Sequence, residues 1–399
     1  MTTTERRLRI AVLNRSFSAR AGGAERYSVA LVEQLAAKHE IHVFAQSIEH
    51  GIERSGDQGL PGVNYHRISM PLRKPRWVNQ LWFASATWWA TRQGFDVVHS
   101  HENTWHGNVQ TVHVLPVKYN LFNGRKSWRL ALRWLKVVTS PRLLVYLWLE
   151  SRRYAAQPGR AVVVTSDSLL SIFAATYPEA ANMTSVITPG IDLPAGLPEQ
   201  ADKLAARQQL GLPVDQRCVL FVGNDFRKKG LQTLIEAMRS LQSDGLLHDT
   251  VLAVVGNSAQ LPQFRQQVAQ AGLAGRVSFL GGMADVSLAY RAADVLAHPT
   301  LEDTFAMVVL EAMSHGLPIV VSSVRYCGIS SLLEDQFNAL ILDDPQDKTA
   351  LATALARVLN DSGLRNQLGS AARELASRHE WSQAAALQEG LYKRVASGF

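Results

Sequence analysis

Short apolar runs alternate with amphipathic stretches twice over along this chain, and no other feature restricts its fold so strongly. In the first half LRIAVLN (8–14), EIHVFAQ (40–46), FDVVHSH (95–101), VQTVHV (109–114) and AVVVTSD (161–167) read as strands, with a helical pattern over 24–38. In the second half the strands are RCVLFVG (217–223), DTVLAVVG (249–256), RVSFLG (276–281), DVLAHP (294–299) and LPIVVSS (317–323). Helical patterns separate them at 230–242, 260–271, 285–292, 304–315 and 347–360. Short apolar strands between amphipathic helices predict parallel sheets covered on both faces. Each half holds enough units for its own doubly wound α/β domain. Pro and Gly interrupt the pattern at VITPGIDLPAGLPEQ (186–200). The expected domains are therefore 1–192 and 193–378, followed by a helical segment at 379–399 that can pack back on the first.

A chain of 399 residues suits two domains, and its 47% hydrophobic content excludes wholesale disorder. Cys218 and Cys327, the two cysteines, are too few for a disulfide framework or a cysteine-rich zinc module, and both are expected as reduced, buried thiols. The opening MTTTERRLRIAV has no apolar stretch of signal-peptide length. No run reaches the roughly 20 apolar residues of a membrane span. These readings predict a cytoplasmic protein.

The net charge of +7 conceals a division: residues 1–193 hold 23 Lys+Arg against 13 Asp+Glu, while 194–399 hold 18 against 21. Eight of the nine tryptophans lie between Trp77 and Trp148, so the basic and aromatic excesses overlap. Their overlap is 118–153, with nine basic residues, one acid (Glu150), and Trp128, Leu130, Leu132, Trp134, Leu135, Val138, Leu143, Leu144, Leu147 and Trp148 among the charges. That mixture suits the headgroup zone of an anionic membrane. It equally suits a pair of core helices with solvated basic faces. No nucleic-acid motif accompanies it, so nucleic acid is not an expected partner.

Three polar constellations carry possible chemistry. Gly22 and Gly23, in SFSARAGGAERY (16–27), allow a tight approach of backbone to ligand before a helix, without the full dinucleotide fingerprint. In FVGNDFRKKG (221–230) a strand ends in a loop bearing Arg227, Lys228 and Lys229, where cations can meet a diphosphate. In HPTLEDTFAMVVLEAMSHGLPIVVSS (298–323) Asp303 reads as a helix N-cap. Glu311 follows eight residues later, about 12 Å along a helix axis. The amides of Thr304, Phe305 and Ala306 would then open that helix toward a phosphate.

Taken in order, these motifs resemble the retaining GT-B glycosyltransferases of family 4. Gly22-Gly23-Ala24-Glu25 matches the family's GG-x-E loop, VITPGID its linker, and Gly223…Lys229-Gly230 its V-G…K-G loop. Asp303…Glu311-Ala312-Met313-Ser314-His315-Gly316-Leu317-Pro318 matches E-x7-E followed by A-M-x-x-G-x-P. VGNDFRKKG and VVGNS further resemble the glucosyltransferases that build the lipopolysaccharide core. The resemblance implies two Rossmann-like domains facing a central cleft, with a nucleoside-diphosphate sugar, UDP-linked by the same likeness, bound mainly by the second. It implies that Lys229 neutralises the diphosphate with help from Arg227, and that Glu311 receives the ribose hydroxyls. Asp303 would hold sugar hydroxyls, and Gly23 would approach the phosphate or sugar. His113 would stand near the reacting sugar, with His101 and His106 as competitors, and Gly282 and Met283 would meet the base. No cofactor or metal is implied, since no D-x-D triplet stands where a metal-dependent transferase needs one. With the basic Trp-rich segment, the expected acceptor is a lipid-linked saccharide at the inner face of the cell membrane.

Three departures from the pattern stand out: Asp303 replaces a glutamate, Ala306 a common glycine, and Asn224 a common arginine. A nucleotide-sugar epimerase, an inverting transferase or a non-catalytic membrane-surface scaffold are the competing readings.

Overall fold

The computed structural model describes residues 6–18, 22–49, 59–125, 128–243, 249–283 and 285–398. Part of the glycine-loop motif (19–21) and two positions of the basic segment (126–127) lie outside them. The chain forms two compact units, Met1–Gly190 with Trp381–Phe399, and Ile191–Glu380.

The first unit is built from β1 (Arg9–Leu13), β2 (Ser16–Phe17), α1 (Gly23–Leu35), β3 (Glu40–Ala45), β4 (Ser47–Ile48), β5 (Val63–Arg67) and α2 (Arg76–Thr91). It continues with β6 (Val97–Ser100), β7 (Val109–Val112), α3 (Val117–Phe122), α4 (Trp128–Val138), α5 (Pro141–Arg153), β8 (Ala161–Val164), α6 (Asp167–Thr176) and β9 (Thr184–Val186). Seven strands form one parallel sheet in the order β5-β3-β1-β6-β7-β8-β9. The order reverses between β1 and β6, and the backbone amide of His101 donates to the Leu13 carbonyl just beyond that junction, at 3.0 Å.

The second unit comprises α7 (Gln200–Gln209), β10 (Arg217–Val222), α8 (Leu231–Ser243), β11 (Thr250–Val255), α9 (Leu261–Gln270), β12 (Val277–Gly281), α10 (Ser287–Ala292) and β13 (Val295–His298). Then follow α11 (Met307–Ser314), β14 (Ile319–Ser322), β15 (Leu340–Leu342), α12 (Lys348–Asn360) and α13 (Ser362–Ser377). Its six-stranded sheet runs β12-β11-β10-β13-β14-β15, parallel throughout, and reverses between β10 and β13. Alternate side chains of β10 feed two separate cores. Cys218, Leu220 and Val222 pack with Val309, Leu310 and Ala372; Val219 and Phe221 pack with Leu234, Met238 and Leu355. A strand buried on both faces must be apolar at every position, which is why these segments read as unbroken runs. Both cysteines are buried and free, and burial first, then the Asp294 carboxylate, pushes the Cys218 thiol up to about 12.

The last helix, α14 (Trp381–Ala396), belongs to the first unit. Tyr392 reaches His99 on β6, with its hydroxyl 2.6 Å from Nδ1, and His99 Nε2 lies 2.6 Å from the Thr111 hydroxyl. Nothing of His99 is exposed, and burial, reinforced by His113 and Arg153, lowers its pKa to about 3. The same side chain in an unfolded chain titrates near 6.5. A neutral His99 therefore stabilises the folded unit fully above about pH 6.5, and that contribution is lost as the pH falls toward about 3. The expected result is a denaturation midpoint that falls on acidification from pH 7 to pH 4, with a shallower fall for His99→Phe. An identical slope in the variant removes His99 as a titrating group.

Candidate active site

In an open parallel sheet, the crevice beyond the carboxyl ends of the strands at a reversal of strand order is where ligands are bound. In the second unit that point lies beyond Val222 of β10 and His298 of β13. The sequence places its cationic turn after the first and its acidic segment after the second. Leu301 donates its amide to the Lys228 carbonyl at 2.9 Å, stitching the two exits together. Gly230 holds φ +81°, and a Cβ there would lie 1.9 Å from the Pro299 carbonyl oxygen. Only glycine allows the turn to dock so closely.

Lys228 Nζ meets Glu302 Oε1 at 2.6 Å, and Lys229 Nζ meets Asp303 Oδ2 at 2.5 Å. The turn at 227–229 and the segment opening at 303 thus converge. Arg227 differs from its neighbours: its guanidinium donates to Gln263 Oε1 at 3.2 Å and its amide to Gln260 Oε1 at 3.0 Å. Asn224, standing where an arginine is common, accepts the Asn257 amide at 2.9 Å.

Asp303 corrects the sequence reading. It is not a helix N-cap, because α11 starts at Met307, with Ala306 capping it at φ 72°. Instead the backbone of Asp303 bridges the 326–328 stretch, its amide donating to the Tyr326 carbonyl at 2.7 Å and its carbonyl accepting from Gly328 at 2.9 Å. Thr304, Phe305 and Ala306 consequently precede the helix rather than open it. The amides of Phe305 and Ala306 are directed at Asp303 Oδ1, at 3.3 and 2.9 Å, and not at a ligand. The first amides of α11 proper are those of Met307 and Val308, which helical geometry leaves without intrahelical acceptors.

His298, which the sequence reading passed over, lies wholly buried beneath Asp303 with Nε2 3.3 Å from Oδ2. Burial alone would raise the pKa of Asp303; the hydrogen bond with His298 and the Lys229 charge outweigh it and hold the carboxyl far below its ordinary range. Burial lowers the pKa of His298 in spite of the carboxylate, so the ring is neutral at pH 7 and its Nε2 proton is donated to an ionised Asp303.

Glu311 is buried on α11, and its Oε2 accepts the Tyr290 hydroxyl of α10 at 2.7 Å. Nothing in the helical pattern at 285–292 marks Tyr290 as its partner. Gly282 and Met283 follow β12. Since all six strands are parallel, they lie along the same carboxyl edge as Gly223 and Pro299.

In the first unit, Gly22 is the extended N-cap residue of α1 and Gly23 its first helical residue. His101 and His113 follow β6 and β7, and His101 Nδ1 lies 2.9 Å from His113 Nε2, with the rings stacked. Tyr27 of α1 packs edge-on against His113, centroids 5.1 Å apart, and against Trp381 of α14 at 5.7 Å. Burial, then Arg153, lowers the pKa of His113 to about 3, and burial holds His101 well below its usual value. Both rings are neutral at pH 7. His106 lies apart, on the connection leading into β7, with its pKa lowered to about 4 by burial.

Residues 21–194 match the family model for glycosyltransferase family 4, and residues 202–375 match that for glycosyl transferases group 1. The lipopolysaccharide glucosyltransferase WaaG of Escherichia coli K12 is 29% identical over 61% of this chain and 67% of its own length. The D-inositol 3-phosphate glycosyltransferase of Xylanimonas cellulosilytica is 31% identical over 59% of this chain; the match spans 58% of that enzyme. In three dimensions a WaaG crystal structure superposes with a TM-score of 0.80 at 22% identity, covering 95% of this chain and 98% of that one. HepE of Anabaena, in complex with UDP-glucose, gives 0.73 at 19% identity, covering 96% of this chain and 99% of that one. The chain belongs to the group 1 glycosyltransferases of family 4, retaining enzymes of the GT-B fold.

Proposed function

We propose that the protein moves a hexose from a UDP-linked donor to a hydroxyl of a lipid-linked saccharide, at the inner face of the cell membrane. The observation that carries this is the convergence of Lys229 with the 298–311 segment at the reversal point of the second sheet. The departing diphosphate gains negative charge as the sugar–oxygen bond breaks. The largest contribution a protein can make is a preplaced positive group in a site of low dielectric. Lys229 supplies the charge and the Met307 and Val308 amides supply dipoles, so no metal ion is required by this reading. Glu311, held by Tyr290, is assigned to the ribose hydroxyls, and the backbone at Gly282 and Met283 to the base. His113, neutral and fixed by His101, is assigned a hydrogen bond to the reacting sugar. The acceptor hydroxyl attacks from the side the diphosphate leaves, its proton passing to a phosphate oxygen, with no protein nucleophile. Uridine is favoured because HepE was crystallised with UDP-glucose and the 221–230 loop resembles lipopolysaccharide-core glucosyltransferases.

A panel of UDP-, GDP- and ADP-sugars, scored for slow donor hydrolysis, is expected to show a response to UDP-sugars alone. Lys229→Ala and Glu311→Ala should each lower turnover about tenfold or more with the circular dichroism unchanged. Full activity in both variants overturns the site assignment.

The lipid-linked acceptor rests on α4. This helix buries Val137 and turns Trp128, Leu132, Leu135 and Val138 outward, each more than half exposed. Those positions recur at i, i+4, i+7 and i+10, one face of a helix, with Arg129, Arg133 and Lys136 between them. Core helices with solvated basic faces would show the reverse. Trp148 and Leu144 of α5 are also exposed. Apolar side chains in the headgroup zone and cations near anionic lipid, worth about 1 kcal/mol each, both favour a membrane surface. Among the described residues no helix is long and apolar enough to cross a membrane. Co-sedimentation with anionic vesicles is expected, weakening with added salt and lost in Leu132→Glu/Leu135→Glu. Equal pelleting with neutral and anionic vesicles counts against the electrostatic part.

A further inference from the structure

We propose that Asp303 is a positioning residue for the donor diphosphate, acting through Lys229, and that it does not hold the transferred sugar. The proposal rests on the donor reading above and concerns how that site divides its work.

An ionised carboxylate offers about four acceptor positions, two on each oxygen. In Asp303 all four are engaged. Oδ1 receives the Phe305 and Ala306 amides at 3.3 and 2.9 Å, and Oδ2 receives Lys229 Nζ at 2.5 Å and His298 Nε2 at 3.3 Å. The side chain is only 15% exposed. A sugar hydroxyl could be accepted here only by displacing one of these donors, and three of the four are fixed by backbone or by a buried ring.

Lys229 stands differently. An ammonium has three protons. One faces Asp303 and a second the Glu302 carbonyl at 3.4 Å, which leaves a third for a phosphate oxygen. Lys229 thus keeps a bonding direction that Asp303 lacks.

The length of the side chain explains why. The contacts of Oδ1 run two and three residues forward, the local turn that Asp forms with its own backbone. A glutamate, one methylene longer, extends away from that backbone. Asp303 is drawn back against its own chain, where it serves as the anchor of the Lys229 ammonium. Because the pair is formally neutral, what Asp303 contributes is placement: one orientation of a long side chain that would otherwise sample many.

The test uses full-length protein with UDP and UDP-glucose as probes in calorimetry, and UDP-glucose hydrolysis as turnover. In Asp303→Asn the new amide protons face Lys229 and His298, so the anchor is lost. Asp303→Ser keeps a short oxygen for the Phe305 and Ala306 amides but drops Lys229, which guards against simple misfolding. Both variants should lower kcat about tenfold or more, while the ratio of the UDP to the UDP-glucose Kd stays within about twofold of wild type. In a Lys229→Ala background the Asp303 substitutions should change kcat by less than about twofold, since partners in one interaction are not additive. A collapse of the Kd ratio in either variant would place Asp303 on the sugar and overturn the proposal. Full additivity with Lys229→Ala does the same, because it reports a structural role independent of the lysine. Wild-type protein that binds neither probe ends the uridine donor reading itself, and this assignment with it.

Discussion

Lys229 and Asp303 are 74 residues apart and meet only because β10 and β13 are neighbours in one parallel sheet. Parallel pairing sends both strands toward the same edge, and the reversal of order at their junction leaves no crossover helix between their exits. Everything assigned to the donor follows from that arrangement. The cationic turn leaves β10, the acidic segment leaves β13, and Gly230 permits contact without a side chain in the way. The glycosyltransferase chemistry is thus a consequence of strand order before it is a property of any one residue.

The core strands were legible because two-sided burial enforces apolar runs. Elements buried on one side, or resting on polar partners, were not. The helix Gln200–Gln209 follows the interrupted stretch at 186–200 and is not among the expected helices, since QADKLAARQQ has little apolar surface. Its place is held instead by Arg207, whose guanidinium meets Asp294 at 2.6 Å, while the same carboxylate accepts the Cys218 amide at 2.7 Å. No periodicity announces a bond of that kind. The short strands Val63–Arg67, Thr184–Val186 and Leu340–Leu342, all outermost or near it in their sheets, escaped for a related reason: edges need fewer apolar residues. At the site, Lys229 and Glu311 were visible as motif positions. His298, which meets Asp303, and Tyr290, which meets Glu311, were not, because each is defined by a neighbour in space.

The basic segment shows the opposite limit. Composition located it, yet could not say which face of α4 turns inward. Its single acid had no evident role, and the structure gives it one: Glu150, buried on α5, accepts the Val117 and Lys118 amides at 2.7 and 2.9 Å and the Tyr177 hydroxyl at 2.8 Å. It caps α3 from another helix. With α3 and α5 tied in this way, α4 can leave its apolar stripe outside without loosening the unit.

The departures at 303 and 306 are best understood together. Ala306 holds φ 72°, a region that costs a residue with a Cβ about 1–2 kcal/mol and that glycine enters freely. A glycine at 306 would need no help to stay there. Alanine does, and the help is the Asp303 carboxylate, which accepts the Ala306 amide at 2.9 Å in a charge-assisted bond of a kind worth about 1.5–3 kcal/mol. A glutamate at 303, reaching outward, would forgo that bond, and a glycine at 306 would make it unnecessary. Each replacement therefore makes sense of the other: the shorter acid turns back to brace a strained alanine, and in turning back it becomes the anchor of Lys229.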